Sequence, residues 1–279
     1  MTTISDDSPA AQQGATLLVR LGRLGYVAKG LVYIVVGFLA TKAAIGIGGE
    51  TTDTKGALRA IGEAPFGRIA LLVVAVGLMG YMGWRLASAV TDAEPRGSDA
   101  KGVALRLGDA FRGVVYGSLG AWVAAYVVRG HAESKNQARA LTDQVLQLPA
   151  GRSLVIGAGL VIVGYALYQL YRAVTRKFLK RLDLSTAGER SRKWIERLGS
   201  FGIGARAAVF AMIGLLIARA GWKYDPSEAG GIDKSLDVIA NQPFGAALFA
   251  VVAAGLIAFG ILQFATARYR VMRATQGPA

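Results

Sequence analysis

One block of sequence is written three times in this chain, so any fold must accommodate three copies of the same unit. It reads Leu24-Gly25-x3-Lys29-Gly30-x-Val32-Tyr33-x3-Gly37, then Leu107-Gly108-x3-Arg112-Gly113-x-Val115-Tyr116-x3-Gly120, then Phe201-Gly202-x3-Arg206-Ala207-x-Val209-Phe210-x3-Gly214. Each block lies in an apolar run, and each is followed by a second run that opens Pro65-Phe66-Gly67, Pro149-Ala150-Gly151 or Pro243-Phe244-Gly245. Fifteen residues beyond each proline come Gly80-Tyr81, Gly164-Tyr165 and Ala258-Phe259. Two runs per copy send every copy into a bilayer with the same orientation, and parallel repeats of this kind are related by an axis along the membrane normal. The fold class expected is an all-α polytopic membrane protein, six transmembrane helices as three parallel two-helix repeats. A pseudo-threefold bundle is the expected packing, with a side-by-side row as the alternative.

The six runs cover about Gly25–Gly46, Pro65–Ala89, Leu107–Val128, Pro149–Ala173, Gly199–Ala218 and Pro243–Ala265. Each approaches the ~20 residues that a helix rising about 1.5 Å per residue needs to cross ~30 Å of hydrocarbon. Apolar residues make up 53% of the 279, and the mean hydropathy is +0.40, which suits a lipid-solvated chain. A net charge of +14 would raise nucleic-acid binding in a soluble protein. Here the cations lie between apolar runs, where they set topology, and no nucleic-acid partner is expected. Roughly two in three of the lysines and arginines fall beside the chain ends and the even-numbered connections, which places both termini in the cytoplasm of a bacterial plasma membrane. The chain divides into a disordered cytoplasmic tail (1–16), repeat one (17–92), a linker (93–103), repeat two (104–176), a basic cytoplasmic linker (177–194), repeat three (195–270) and a second tail (271–279).

Several chemistries are disfavoured. With no cysteine there is no disulfide, thiolate metal site or thiol nucleophile, and the single histidine, His131, cannot build a metal site or a Ser-His-Asp set alone. No HExxH and no GxxxxGK[ST] occurs. None of the runs carries an acidic residue at its centre, Asp109 lying near an end, so the carboxylate relay of a proton-driven transporter is missing. The expectation is a protein that is not an enzyme and has no cofactor or metal. The first residues lack a basic n-region and do not look like a signal peptide.

The most suggestive constellation is Lys29, Arg112 and Arg206, followed four residues later by Tyr33, Tyr116 and Phe210. Residues four apart share a helix face, so each cation lies over an aromatic. If those faces line the axis, they form a positive ring near the cytoplasmic mouth, a site for an anion or a lipid phosphate. The ordinary alternative is snorkelling outward to anionic headgroups. On the second helices, Arg85, Gln169 and Gln263 share one repeat position and could hydrogen-bond between helices or line the same mouth. The prolines are expected in the first helical turn, where a missing N–H does no harm. Short amphipathic stretches before them (Leu58 and Ile61, Leu141 and Val145, Leu236 and Ile239) predict interfacial helices on the outer face. Small-residue patterns such as Gly113-x3-Gly117 supply close helix packing. In the basic fourth connection, Thr186 and Glu189 suggest a capping box for an interfacial helix through Trp194, Ile195 and Leu198. That segment would rest on anionic lipid, with docking of a membrane-protein partner as the alternative.

The repeated Leu-Gly-x3-Lys/Arg-Gly block, the Pro-Phe-Gly helix start and the linker Leu182-Asp183-Leu184-Ser185 resemble a bacterial membrane-protein family known as the domain of unknown function 1206, in which a two-helix domain usually occurs three times. The resemblance runs from about Leu17 to Arg270. Copy two departs from it with Ala150 and copy three with Ala207. It implies architecture and carries no activity. The function expected is a non-enzymatic accessory, scaffold or lipid-interacting protein, with a channel or facilitator for a small solute or anion along the axis as the alternative.

Overall fold

The computed structural model describes residues 9–44, 54–90, 99–129, 137–241 and 243–271. The elements are α1 (Pro9–Ala44), α2 (Thr54–Glu63), α3 (Gly67–Val90), α4 (Ala100–Arg129), α5 (Gln137–Leu146), α6 (Gly151–Val174), α7 (Glu189–Lys223), α8 (Ile232–Ala240) and α9 (Gly245–Tyr269), with short 3-10 turns at Lys177–Arg181 and Pro226–Glu228. Helices α1, α3, α4, α6, α7 and α9 hold apolar spans of 24 to 35 residues, long enough to cross a bilayer. Large apolar side chains such as Val161, Leu107 and Ile69 stand outward on them, as a lipid solvent requires. The protein is a multi-pass membrane protein of three two-helix repeats.

Helix α1 packs on α3, α3 on α4, α1 on α9, α9 on α7 and α7 on α6. Taken in repeat order this is a ring of six with pseudo-threefold connectivity. All three copy-to-copy seams are made, and copies one and three also close their own hairpins. The sixth seam, between α4 and α6 of copy two, has no packed interface among the described residues.

The glycines explain which seams close. Between helices in lipid there is no hydrophobic gain, so pairing depends on close backbone approach at small residues. In copy one, a Cβ placed on Gly25 would come within 2.6 Å of the Gly77 carbonyl oxygen, and one on Gly80 within 2.6 Å of the Leu21 Cβ. In copy three, Gly202 abuts the backbone of Phe259 and Ala258. The copy-to-copy seams are as tight: Gly30 against the Gly260 carbonyl at 2.8 Å, Gly37 against that of Ala253 at 2.8 Å, and Gly159 against that of Gly214 at 2.6 Å. In copy two the matching Gly108 meets only the Arg112 guanidinium at 3.9 Å, and Gly164 meets nothing within 4 Å.

At the end opposite the chain termini, α2, α5 and α8 lie just before each second helix, with Leu58 and Leu236 fully buried and Leu141, expected on the buried face, exposed instead. Here the proline reading is corrected. The second helices start at Gly67, Gly151 and Gly245, two residues after each proline, so Pro65, Pro149 and Pro243 occupy the turn and not the first helical turn. The residue between, Phe66, Ala150 or Phe244, is left-handed with φ of 60°. The following glycine is forced, because a Cβ there would collide with the carbonyl oxygen of Ile61, Val145 or Ala240 at the end of the preceding short helix.

Three other expectations change. Helix α1 begins at Pro9, so 9–16 is helix and not a disordered tail; residues 1–8 lie outside the described residues. Residues 100–103 of the expected linker likewise belong to α4. Gly188, with no side-chain cap, precedes α7, so Thr186 makes no capping box. The helix through Trp194 is the first part of the spanning helix α7 and not a separate interfacial element. The linker before it is tied to the end of α9 by the Asp183 N–H donating to the Tyr269 carbonyl at 2.7 Å. His131 lies outside the described residues.

Candidate functional site

The termini-bearing half of the bundle contains a cluster of cations and aromatic rings. Lys29 on α1 is 8% exposed and, among the described residues, makes neither a hydrogen bond nor an ion pair. Its ammonium lies 4.6 Å from the ring centre of Tyr116, 5.7 Å from Phe259 and 5.8 Å from Tyr81. Arg206 on α7 is equally buried, with its guanidinium 4.3 Å from Phe210, 4.9 Å from Phe259 and 5.7 Å from Tyr33. Its Nε donates to the Tyr33 hydroxyl at 3.0 Å.

The two cages follow one rule. Each cation takes the second-helix aromatic of its own copy (Tyr81, Phe259) and the first-helix aromatic of the next copy (Tyr116, Tyr33). It also approaches the second-helix aromatic of the preceding copy: Phe259 for Lys29, and Tyr165, within electrostatic reach, for Arg206. Cation–π contacts of this kind are worth up to about 2 kcal/mol when desolvated. By the same rule Arg112 should sit among Tyr165, Tyr81 and Phe210. Among the described residues it sits over none of them. Its Nη1 instead binds Asp109 Oδ1 at 2.6 Å, and its side chain is 33% exposed. Arg112 is the cation on the seam that stays open, so the exception in the cage and the gap in the ring coincide.

Arg85 plays a different part from the two caged cations. Its Nε donates to the Tyr81 hydroxyl at 2.9 Å, Nη1 to Asp109 Oδ1 at 2.9 Å and Nη2 to the Tyr26 hydroxyl at 2.8 Å. One side chain thus joins α1, α3 and α4, and its donors are engaged by protein. Gln169 on α6 accepts from Arg172 Nη1 at 3.0 Å, and Gln263 on α9 is buried at the matching position.

The charge balance of the cluster is positive. Arg206, Arg85, Arg112 and Arg270 all lie within electrostatic range of Lys29, and Asp109 is the one buried carboxylate among the described residues. Lys29 and Arg206 therefore hold an unfavourable field that a bound anion would relieve. The burial of both side chains overturns the snorkelling alternative for Lys29 and Arg206, which point into the bundle. Beyond the cluster, toward the short helices, Val36, Val74, Leu78, Val123 and Leu256 are almost completely buried in one contiguous apolar core. No group of His, Cys, Asp and Glu among the described residues is arranged to hold a metal ion.

Sequence reasoning missed Asp109 as a site residue, because a carboxylate near the end of an apolar run reads as solvated. The second-helix aromatics Tyr81, Tyr165 and Phe259 stood at one repeat position, four residues before Arg85, Gln169 and Gln263. That spacing was the available sign of a shared face.

A family model described as Domain of Unknown Function (DUF1206) matches the chain three times in tandem, over residues 24–92, 107–176 and 201–270. The chain belongs to the DUF1206 family. A relative in Bacillus subtilis (strain 168), the uncharacterized protein YxxB, is 32% identical over 267 residues, spanning 95% of this chain and 96% of its own. No solved structure matches. The three matched segments begin at the Leu-Gly or Phe-Gly pair of each block, so each DUF1206 domain contributes one cation position and two aromatic positions to the shared cluster.

Proposed function

We propose that this DUF1206 protein is a non-enzymatic, lipid-interacting membrane protein whose cation–aromatic cluster binds the phosphate of an anionic phospholipid. The observation that carries this reading is Lys29: nine-tenths buried, held among the described residues by ring faces, and surrounded by further cations. A buried charge is retained where something pairs with it. Arg206 and the partly exposed Arg112 supply the fork geometry suited to phosphate oxygens. The channel reading draws less support, because the apolar core beyond the cations interrupts any polar path along the axis.

The bias of Lys and Arg toward the chain ends and even connections supports a bacterial plasma-membrane setting with both termini in the cytoplasm. The cluster would then face the leaflet surface where anionic headgroups attract basic segments. The test is native mass spectrometry of the protein from detergent supplemented with equal phosphatidylglycerol and phosphatidylcholine. Preferential retention of phosphatidylglycerol, lost in the variant Lys29→Gln/Arg206→Gln, is expected. Equal retention of the two lipids by the unaltered protein would overturn the proposal.

A further inference from the structure

We infer that the open seam between α4 and α6 is a lateral groove that takes one phospholipid, its acyl chain along the glycine face of copy two and its phosphate at Arg112, in front of Lys29. This deepens the lipid-phosphate reading above and rests on it. Gly25 and Gly202 are pressed against the second helix of their own copies, and Gly80 accepts Leu21. Gly108 and Gly164 keep the same small residues at the same repeat positions, yet Gly108 touches only Arg112, and Gly164 and Gly157, seven residues apart on one face of α6, touch nothing within 4 Å. Copy two carries Phe111 and Val161 where copy one has Ala28 and Gly77; both stand outward, and α4 and α6 are left unpacked against one another with open space over Gly157 and Gly164.

What lies at the end of the trough specifies the occupant. Arg112 is the cation excluded from the cage pattern and the most exposed of the three, and it stands on the α4 wall. Tyr116, one turn further along α4, carries the Lys29 ammonium on its ring. Lys29 is nine-tenths buried and, among the described residues, has neither a hydrogen bond nor a carboxylate partner. Arg112 and Arg172 stand on opposite walls within electrostatic range of one another. A molecule with an apolar chain and an anionic head matches both halves of the groove; a second apolar helix would leave Arg112, Arg172 and Lys29 with Asp109 as the one buried carboxylate among the described residues.

The test has two arms. Gly157→Leu/Gly164→Leu fills the trough where the added carbons meet no protein atom, so the bundle is left intact. Phosphatidylglycerol retention in native mass spectrometry should then fall about tenfold, equivalent to about 1.4 kcal/mol, while the thermal midpoint in detergent is unchanged. Undiminished, selective retention in this variant would overturn the groove and leave the cationic site standing; loss of selectivity in the unaltered protein would remove the site itself. The second arm uses the absence of cysteine from the chain. Ala104 and Gly164 correspond by repeat position to Leu21 and Gly80, which touch in copy one. The pair Ala104→Cys/Gly164→Cys in phosphatidylglycerol-containing membranes should join through a long bis-maleimide and not through a direct disulfide, which needs Cβ atoms about 3.5–4.5 Å apart. Quantitative disulfide formation there would show the seam shut and overturn the inference.

Discussion

Lys29 and Arg206, contributed by different copies, share a single ring: the ammonium and the guanidinium stand 5.7 Å and 4.9 Å from the centre of Phe259. Phe259 is the meeting point of copies three and one, and it holds two cations in proximity that would otherwise separate. Replacing it tests whether the rings or the helices hold them. Phe259→Leu keeps an apolar filling and removes the quadrupole. The expected result is a loss of about 1–2 kcal/mol in detergent unfolding, since two cation–π contacts go together with some packing.

Lys29→Met removes a charge that is nine-tenths buried and has no acceptor among the described residues, and it keeps a flexible apolar stem of similar reach. In lipid-free detergent the variant should be more stable by about 1–3 kcal/mol, read as a rise in thermal midpoint. The same substitution should abolish the selective retention of phosphatidylglycerol. Gain of stability with loss of binding is the pattern of a binding residue, and a purely structural lysine would not give it.

Arg85→Met should behave in the opposite way. It removes the Arg85 ion pair from Asp109, which is fully buried, and it frees the Tyr26 and Tyr81 hydroxyls from Arg85. Breaking a buried pair by removing one partner costs about 3 kcal/mol or more. A drop in midpoint is expected, partly restored in Arg85→Met/Asp109→Asn.

The three Pro-x-Gly joints can be tested against glycines that look identical in sequence. Gly67→Ala, Gly151→Ala and Gly245→Ala each push a carbon into a carbonyl oxygen and should destabilise by about 2 kcal/mol or more. Gly164→Ala, facing empty space, should instead be neutral or stabilising by up to about 1 kcal/mol through helix propensity. Circular dichroism melts of the four variants separate the cases.

Outside the spanning segments, the turn at Pro226–Glu228 carries an acid-sensitive tie. Lys223 donates to Glu228 at 2.6 Å, and this bond, with Arg219 nearby, holds the Glu228 carboxyl below its usual range. Because the folded value is depressed, the contribution is present above the ordinary glutamate pKa and disappears as pH falls through the lowered value. Hydrogen exchange across 224–231 should therefore quicken on acidification in the unaltered protein and be already fast at neutral pH in Glu228→Gln.

The spanning helices and their threefold recurrence were readable because they depend on local quantities: run length, apolar content and spacing. Which way Lys29 points was not. A cation near the end of an apolar run looks the same whether it turns to headgroups or inward, and the choice depends on helix rotation set by distant close approaches such as Gly25 on Gly77. Thr186 and the prolines failed for a nearer reason, since each motif admits a neighbouring register and only the backbone decides between them. The open seam was written in neighbours and not in the glycines themselves. Gly108 and Gly164 obey the repeat, but copy two has Phe111 and Val161 where copies one and three have Ala28 and Gly77, Ala205 and Gly255, and the close approach those small residues allow is lost.

The pairing of α1 with α9 joins copy one to copy three, so this seam forms only after all three copies have been synthesised. Until then the notches at Gly30 and Gly37 have no occupant, and α1 must wait in the bilayer for α9. Joining the old ends and cutting the chain between copies one and two should yield a permuted protein with the same neighbours throughout, assembled in a different order.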